Sequence, residues 1–464
     1  MTGDQLRGGQ LTTADVTAST VANIGPGIDF YFGFGVIAVT AGTGAPLTIL
    51  AAAAAVLLLA LSVAEFTRDE PSAGSFIEYV EDGLGPVAGV ATALLVVVGY
   101  TIAMAGVFTM AGGFLADTLG RWTHWMPPWG PLSVLLTLGA LALMVRGVRL
   151  STSVVGGAVV FQATVMVVAC AVILFDHRSH LSGAPFRWSS VTGGLSGLSA
   201  GFPLALYMFI GWENGPALAE ECRDPRRTVP RALLWSIAAA TFLFVLFAYA
   251  TVTGFGYDVS SIGRSSIPFL TVADQALGPF AVVAWLVGVV SVLATLVSGT
   301  NSQSRMVFDG GRTGKLPRWL GVVDPDTRVP VRALVAFVTV GLGVIGVWAV
   351  AHVVGVGTGS MNPVGLYAEC STFGTIVILF VYLVTMVALP RYIWVRHRAG
   401  FRVGRHVLVP AVGVAALVVP FVSLCTPGQP APYSVFPYVA LVLVVAASVV
   451  GVVVVRRRPV DDAA

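Results

Sequence analysis

The chain has 464 residues, 56% of them hydrophobic and 11% charged, with a formal net charge of +3. A soluble globular domain carries about 25% charged residues, so this chain has too little charge to cover a water-facing surface, and a soluble fold is excluded. The apolar residues gather in runs of roughly 20, the length that crosses a bilayer core of about 30 Å, while the alternating segments of about 10 residues that build a membrane barrel do not occur.

The expected class is therefore an all-α polytopic membrane protein. Twelve transmembrane helices are predicted over residues 16–41, 44–64, 86–116, 130–146, 152–175, 194–220, 230–254, 279–302, 331–355, 364–389, 405–425 and 434–455. The basic residues orient them. Only Arg121, Arg178, Arg187 and Arg264 fall on one side, and the other 22 of the 26 Lys and Arg fall on the opposite side. The positive-inside rule then puts both termini in the cytoplasm. The loop at 65–82 dissents, with six acids against Arg68, but acids weigh little in this rule. A plasma (inner) membrane location with no cleavable leader is expected, because the first span is long and follows a polar segment without a cleavage site.

Span 1 contains "NIGPGIDFYFGF", residues 23–34. Pro26 has no N–H, and its ring excludes the carbonyl of Ala22 from a regular ladder. Gly25 and Gly27 leave the backbone free to turn. Freed backbone groups are costly in hydrocarbon, so a break at this depth must face protein, water or a ligand. Asp29 follows two residues later; intramembrane acids are functional candidates by default. The bland reading of Asp29 is a carboxylate stabilised by the dipole of a helix start. The sharp reading pairs it with a positive group on a substrate, or has it titrate during ion coupling.

Span 6 reads "GFPLALYMFIGWENGPALAEE", residues 201–221. Gly211 and Gly215 flank Trp212-Glu213-Asn214, and Pro216 frees the carbonyl of Trp212. Glu213 is either a structural partner for backbone N–H groups or a proton carrier. The start of one broken span lies five spans from the start of the other. Five is odd, so the second block enters from the opposite face and its break meets the first near the midplane. Paired half-helix ends suit a zwitterion, with N–H groups for a carboxylate and carbonyls for an amine.

The four cysteines have no metal spacing, and the six histidines fall in loops or at span ends. No phosphate loop of Walker type occurs. The expectation is therefore no enzyme chemistry, no cofactor, no metal and no nucleic-acid partner. The polar stretch at about 303–330 is expected to be a cytoplasmic loop.

Four further stretches carry a resemblance: "EFTRDEPSAGSFIEYVEDGLGPVAG" (65–89), "FIGWENGPALAEECRDPRRTVPRA" (209–232), "NSQSRMVFDGGRTGKLPRWLGVV" (301–323) and "LYAECSTFGTIVILFVYLVTMVALPRY" (366–392). Together with the two breaks they resemble the amino acid–polyamine–organocation (APC) superfamily of permeases. The resemblance implies a single transporter domain of the kind seen in the sodium-coupled leucine transporter. It has a first five-helix repeat over 13–175, an inverted second repeat over 194–389, broken helices 1 and 6, and two extra C-terminal helices over 405–455. It also implies alternating-access transport of an amino acid or related amine, as ion-coupled uptake or exchange. The alternatives are export of an amino-acid-derived metabolite, and an amino acid sensor that binds without transporting.

By this resemblance the substrate meets Asn23, Gly25, Pro26, Gly27, Ile28 and Asp29 of span 1, and Ile210, Gly211, Trp212 and Glu213 of span 6. Tyr207, one turn before Gly211, stands where relatives place an aromatic gate, and Tyr100 of span 3 is a candidate for the same cavity. Aligning "GVRLSTSVVGGAVVFQ" (147–162) puts Gln162 where many members carry a lysine whose ammonium stands in for sodium. Gln162 is uncharged, which puts that role in doubt; the coupling candidates are Asp29, Glu213 and Gln162, and the open routes are a proton on an acid, a bound sodium ion, or substrate exchange without an ion. Arg305 and the acids Glu220, Glu221 and Asp224 are expected as inner-gate ion pairs or solvated span ends.

Overall fold

A computed structural model describes residues 11–72, 74–146, 152–327, 329–354, 361–425 and 431–457. The first five residues of the stretch aligned around Gln162 thus lie outside the described residues. Helices account for nearly every regular element. The only β-type pairing among the described residues is the isolated bridge between Leu11 and Cys222.

Helix α1 (Thr13–Ile24) starts on a capping box: the Thr12 hydroxyl accepts from the Asp15 N–H, and the Asp15 carboxylate accepts from the Thr12 N–H. It ends at Gly25, and α2 (Pro26–Ala41) begins at once. A short 3-10 turn leads into α3 (Ala45–Asp69). The small amphipathic helix α4 (Phe76–Leu84) follows, then α5 (Pro86–Thr123), α6 (Trp129–Val145) and α7 (Thr152–Asp176). The chain then folds through short 3-10 turns to α8 (Leu195–Tyr207) and the single turn α9 (Asn214–Ala217). Next come α10 (Pro225–Gly254), and two short helices, α11 (Val259–Arg264) and α12 (Pro268–Leu277). The last are α13 (Ala281–Arg312), α14 (Val331–Val353), α15 (Pro363–Arg396), α16 (Val409–Leu424) and α17 (Phe436–Arg457).

Nine helical stretches among the described residues are long and apolar enough to cross a bilayer. The stretch Thr13–Asp69 contains α1, α2 and α3 together, and two shorter apolar helices, Trp129–Val145 and Leu195–Tyr207, add to the nine. The chain is a multi-pass membrane protein. Its outward faces carry the expected apolar side chains, such as Val160, Phe242, Val347 and Val442.

The interior is built around α5 and α15, the two longest helices, which pack chiefly on each other. They cross where Gly99 meets Gly374: a Cβ on Gly374 would stand 2.7 Å from the Gly99 carbonyl oxygen. Small residues let membrane helices approach backbone to backbone, which is how such helices gain packing energy without a hydrophobic drive. Helices α2, α8 and α13 pack beside this pair, and α1 packs on α13.

One expectation needs correction. The polar stretch expected as a loop from residue 303 begins as helix, because α13 continues to Arg312. Gln303, Ser304, Met306, Val307 and Asp309 are all buried there. The end of α13 packs on the 3-10 turn Arg318–Gly321, where Gly311 and Gly321 bring the two backbones together. Tertiary packing thus holds helical a segment whose polarity reads as loop.

Candidate functional site

Gly25 adopts φ +64 and ψ 55, a left-handed conformation that caps α1, and its N–H donates to the Val21 carbonyl at 3.2 Å. Pro26 then occupies the first position of α2, where the missing N–H costs nothing. A Cβ at Gly25 would stand 2.3 Å from Thr295 Oγ1, and one at Gly27 would stand 2.8 Å from Ser291 Oγ. The Ile28 N–H donates to Ser291 Oγ at 3.1 Å. Helix α13 thus closes on the open start of α2 through Ser291 and Thr295. Gln162 of α7 faces the same spot, its Oε1 3.7 Å from the Cβ position of Gly27.

The second break is longer. Helix α8 stops at Tyr207, and the chain turns through residues 208–213, with Gly211 at φ +110. The Gly211 N–H donates to Glu213 Oε2 at 2.9 Å, so this carboxylate satisfies a donor that the break sets free. The Glu213 carboxylate is buried beside the equally buried hydroxyl of Tyr100. The Trp212 indole N–H donates to the Tyr382 hydroxyl at 3.4 Å, and Phe76 of α4 meets the indole edge-on.

The two breaks touch. Asn23 Nδ2 donates to the Gly211 carbonyl at 3.2 Å. A Cβ on Gly211 would lie 2.8 Å from the Asn23 carbonyl carbon and oxygen. Beside this contact a narrow cavity of about 10 Å³, the room of one water molecule, is lined by Asn23, Asp29, Tyr207, Ile210, Thr295 and Gln303, among others. Of its lining side chains only Asp29 is ionisable as an acid. Asp29 is 3% exposed and accepts from the Tyr367 hydroxyl at 3.3 Å. No cation pairs with it among the described residues. The Tyr207 ring meets Tyr367 edge-on at 5.7 Å, so two tyrosines stand over the acid.

Among the predicted residues, Asn23, Asp29, Tyr207 and Ile210 line the cavity. Gly25, Pro26, Gly27, Ile28 and Gly211 form the two backbone breaks next to it. Trp212, Glu213 and Tyr100 do not line it. Trp212 turns to Tyr382 and Phe76, and the Tyr100 hydroxyl stands beside Glu213 and Tyr382. Gln162 is buried next to Gly27, away from the cavity lining. The sequence reading passed over Thr295, Gly299 and Gln303 of α13, the α5 residues Ala103, Met104 and Val107, and Tyr367 of α15. The α13 face had a readable signal: Ser291, Thr295, Gly299 and Gln303 recur at every fourth position and so share one stripe of the helix.

Contacts between elements lie on either side of the breaks. On the arginine-poor side Phe30 stacks on Phe34 at 4.9 Å and meets Phe269 and Phe247 edge-on. Beyond them Arg121 pairs with Asp274 of α12 at 2.9 Å and lies over Trp285, whose indole N–H also reaches Asp274. On the arginine-rich side the Leu11 N–H donates to the Glu221 carbonyl at 3.0 Å, and the Arg223 N–H donates to the Leu11 carbonyl at 3.4 Å. Arg305 pairs with Glu221 at 3.0 Å, and Lys315 with Glu81 at 2.5 Å, whereas Asp224 pairs with the exposed Arg227 at 3.7 Å. The side chain of Glu220 lies outside the described residues. Helix α4 docks here too, and burial, with the Asp309 carboxylate next in weight, pushes the Glu78 carboxyl up to about 7.

The sequence model of the amino acid permease family matches residues 9–447. A transporter of Mycobacterium tuberculosis is 28% identical over 302 residues, which span 64% of this chain and 64% of that protein. The branched-chain amino acid permease BcaP of Lactococcus lactis is 25% identical over 399 residues, 79% of each chain. The mouse cationic amino acid transporter 4 is 27% identical over 361 residues, 70% of this chain and 53% of that protein. A bundle of apolar helices, two of which break against each other beside a buried acid, therefore has its place among known proteins: this chain belongs to the amino acid permease family of the APC superfamily.

Proposed function

We propose that the chain is a secondary transporter that carries an amino acid or related amine across the plasma membrane by alternating access. In this reading it has twelve spans, with α1 and α2 forming span 1, α8 and α9 belonging to span 6, two inverted five-helix repeats, and two added helices. Both termini are cytoplasmic, so the arginine-rich side is the inner one. The observation that carries the reading is the contact between the breaks, Asn23 on the Gly211 carbonyl, beside a cavity whose one acid has no counter-charge.

The site's chemistry favours a substrate with an amine. Asp29 offers a buried carboxylate with only a tyrosine hydroxyl on it. An ammonium group is the partner that such an acid lacks, and a charge-assisted bond to it is about twice as strong as a neutral one. The name of the mouse relative fits a cationic substrate, and those of the bacterial permeases fit a neutral one, whose α-amine serves as well. The cavity holds about one water, so Tyr207 or the α13 face must withdraw before a solute enters. Gln162 is uncharged, which leaves Asp29 or Glu213 to carry a proton if transport is proton-coupled.

The test is uptake into proteoliposomes with labelled amino acids and amines, with and without proton or sodium gradients. Saturable flux of an amine-bearing solute, lowered at least about tenfold in Asp29→Asn, is expected. Unchanged uptake by Asp29→Asn removes the assigned role of this acid. Binding without flux makes the protein a sensor, and flux only out of the vesicle interior makes it an exporter.

A further inference from the structure

A second polar basin lies far from the breaks, on the arginine-rich side. The ends of α3 and α15 and the turn into α16 enclose about 310 Å³. Its two carboxylates already have partners. Glu65 is met by Arg68 at 2.6 Å and by Arg405 at 2.7 Å, with His406 Nε2 at 3.5 Å. Asp69 is met by His397 at 2.7 Å and by the Tyr392 hydroxyl. Arg402 lines the same basin, is exposed, and has no carboxylate partner among the described residues. Three arginines against two acids leave the basin net positive with both histidines neutral.

The backbone holds this arrangement. The Arg402 N–H donates to His406 Nδ1 at 3.0 Å. That ring nitrogen is therefore an acceptor, and the proton sits on Nε2, toward Glu65. A single π-helical turn, Gly404–Leu408, follows; such turns are rare and concentrate at functional positions. The rim is apolar and bare: Trp394 is 47% exposed, Val403 60% and Leu408 58%. Trp394 meets Phe401 edge-on at 5.1 Å and carries Arg398 over its other side at 4.6 Å. Tryptophan and arginine at this height mark the headgroup layer of a bilayer.

We propose that this basin binds the phosphate headgroup of an anionic phospholipid, with Arg402 holding the phosphate and Val403 and Leu408 lying along the acyl chains. A guanidinium fork matches phosphate oxygens in pairs. Basic pockets between helices on the cytoplasmic side are the recurring form of such sites. The apolar rim is what separates a lipid from a free anion, since inorganic phosphate gains nothing from it. The site is independent of the transported solute.

The experiment measures the melting midpoint of the purified full chain in neutral detergent, titrated with phosphatidylglycerol, phosphatidylcholine or inorganic phosphate. Phosphatidylglycerol is expected to raise the midpoint saturably and phosphatidylcholine to leave it. Arg402→Gln is expected to weaken the apparent affinity for phosphatidylglycerol about tenfold. Arg391→Gln, an exposed arginine of α15 outside the basin, is expected to leave it unchanged. Equal effects of the two lipids, or equal losses in the two variants, overturn the proposal by reducing it to a general basic surface. A shift by inorganic phosphate alone that matches the lipid's also overturns it, because the basin would then be a free-anion site.

Discussion

Gly25 and Gly211 each need their missing side chain for two separate reasons: a positive φ, which costs a non-glycine residue about 1–2 kcal/mol, and the crowding that a Cβ would create. The crowding differs. At Gly25 the obstacle is Thr295 Oγ1, a side-chain atom, and at Gly211 it is the Asn23 backbone. Gly211→Ala is therefore expected to abolish uptake and lower the melting midpoint, with no single side-chain truncation restoring either. Gly25→Ala is expected to be partly rescued by Thr295→Ala, which removes the hydroxyl in the way. Paired melts and uptake assays on the single and double variants decide this, and equal behaviour of the two glycines would count against the contact geometry. The glycines and Pro26 were legible because their chemistry is local. Thr295 and Gln303 left only their fourth-position spacing, and Tyr367 left no signal: a threonine in a membrane helix usually bonds to its own backbone one turn back, as Thr375 does, so spacing alone does not say which polar residues face a cavity.

At the scale of the element, α4 is the informative case. It carries Glu78 down onto the end of α13, where Asp309 keeps one carboxylate oxygen buried and unpartnered. Lys315, Arg312 and Asp82 also act on Glu78. The Glu78 value stands near 7, above its ordinary 4.5. Protonated Glu78 is thus the form the fold prefers, and its contribution to stability is full below pH 4.5 and lost as pH rises through about 7. Glu78→Gln, which keeps a partner for Ser72, is expected to flatten the fall in melting midpoint over that window. An unaltered slope would assign the pH dependence to other groups. Sequence placed α4 within a loop of mixed charge but could not say what it leans on, and the same blindness hid the last turns of α13. Polarity marks solvent only where no other element covers the residue, and here Arg318–Gly321 covers it.

At the scale of the whole molecule, composition alone fixed the class, because 11% charge leaves no alternative to a lipid-facing exterior. Which helices form the centre was not readable, since α5 and α15 are no more apolar than their neighbours and earn their place through Gly99 and Gly374. Ion pairs tie elements together on both sides, Arg121–Asp274 with its aromatic layer on one and Arg305–Glu221 on the other. Removing one closure should shift the population toward opening on that side. With Arg305→Ala, in a chain cleared of its native cysteines, a Thr295→Cys probe is expected to react several-fold faster with a membrane-impermeant thiol reagent applied from the arginine-rich face. Rates that do not change would mean that the Arg305 pair does not hold that end shut.

The short ladder between Leu11 and residues 221–223 has a practical corollary for whoever builds reporters on this protein. A fluorescent domain or affinity handle fused ahead of residue 11 hangs from the very residue that is pinned to residues 221–223 on the arginine-rich side, so its drag and bulk become part of the measurement. Among the described residues the end of α17 takes part in none of these ion pairs or bridges, and labels belong there.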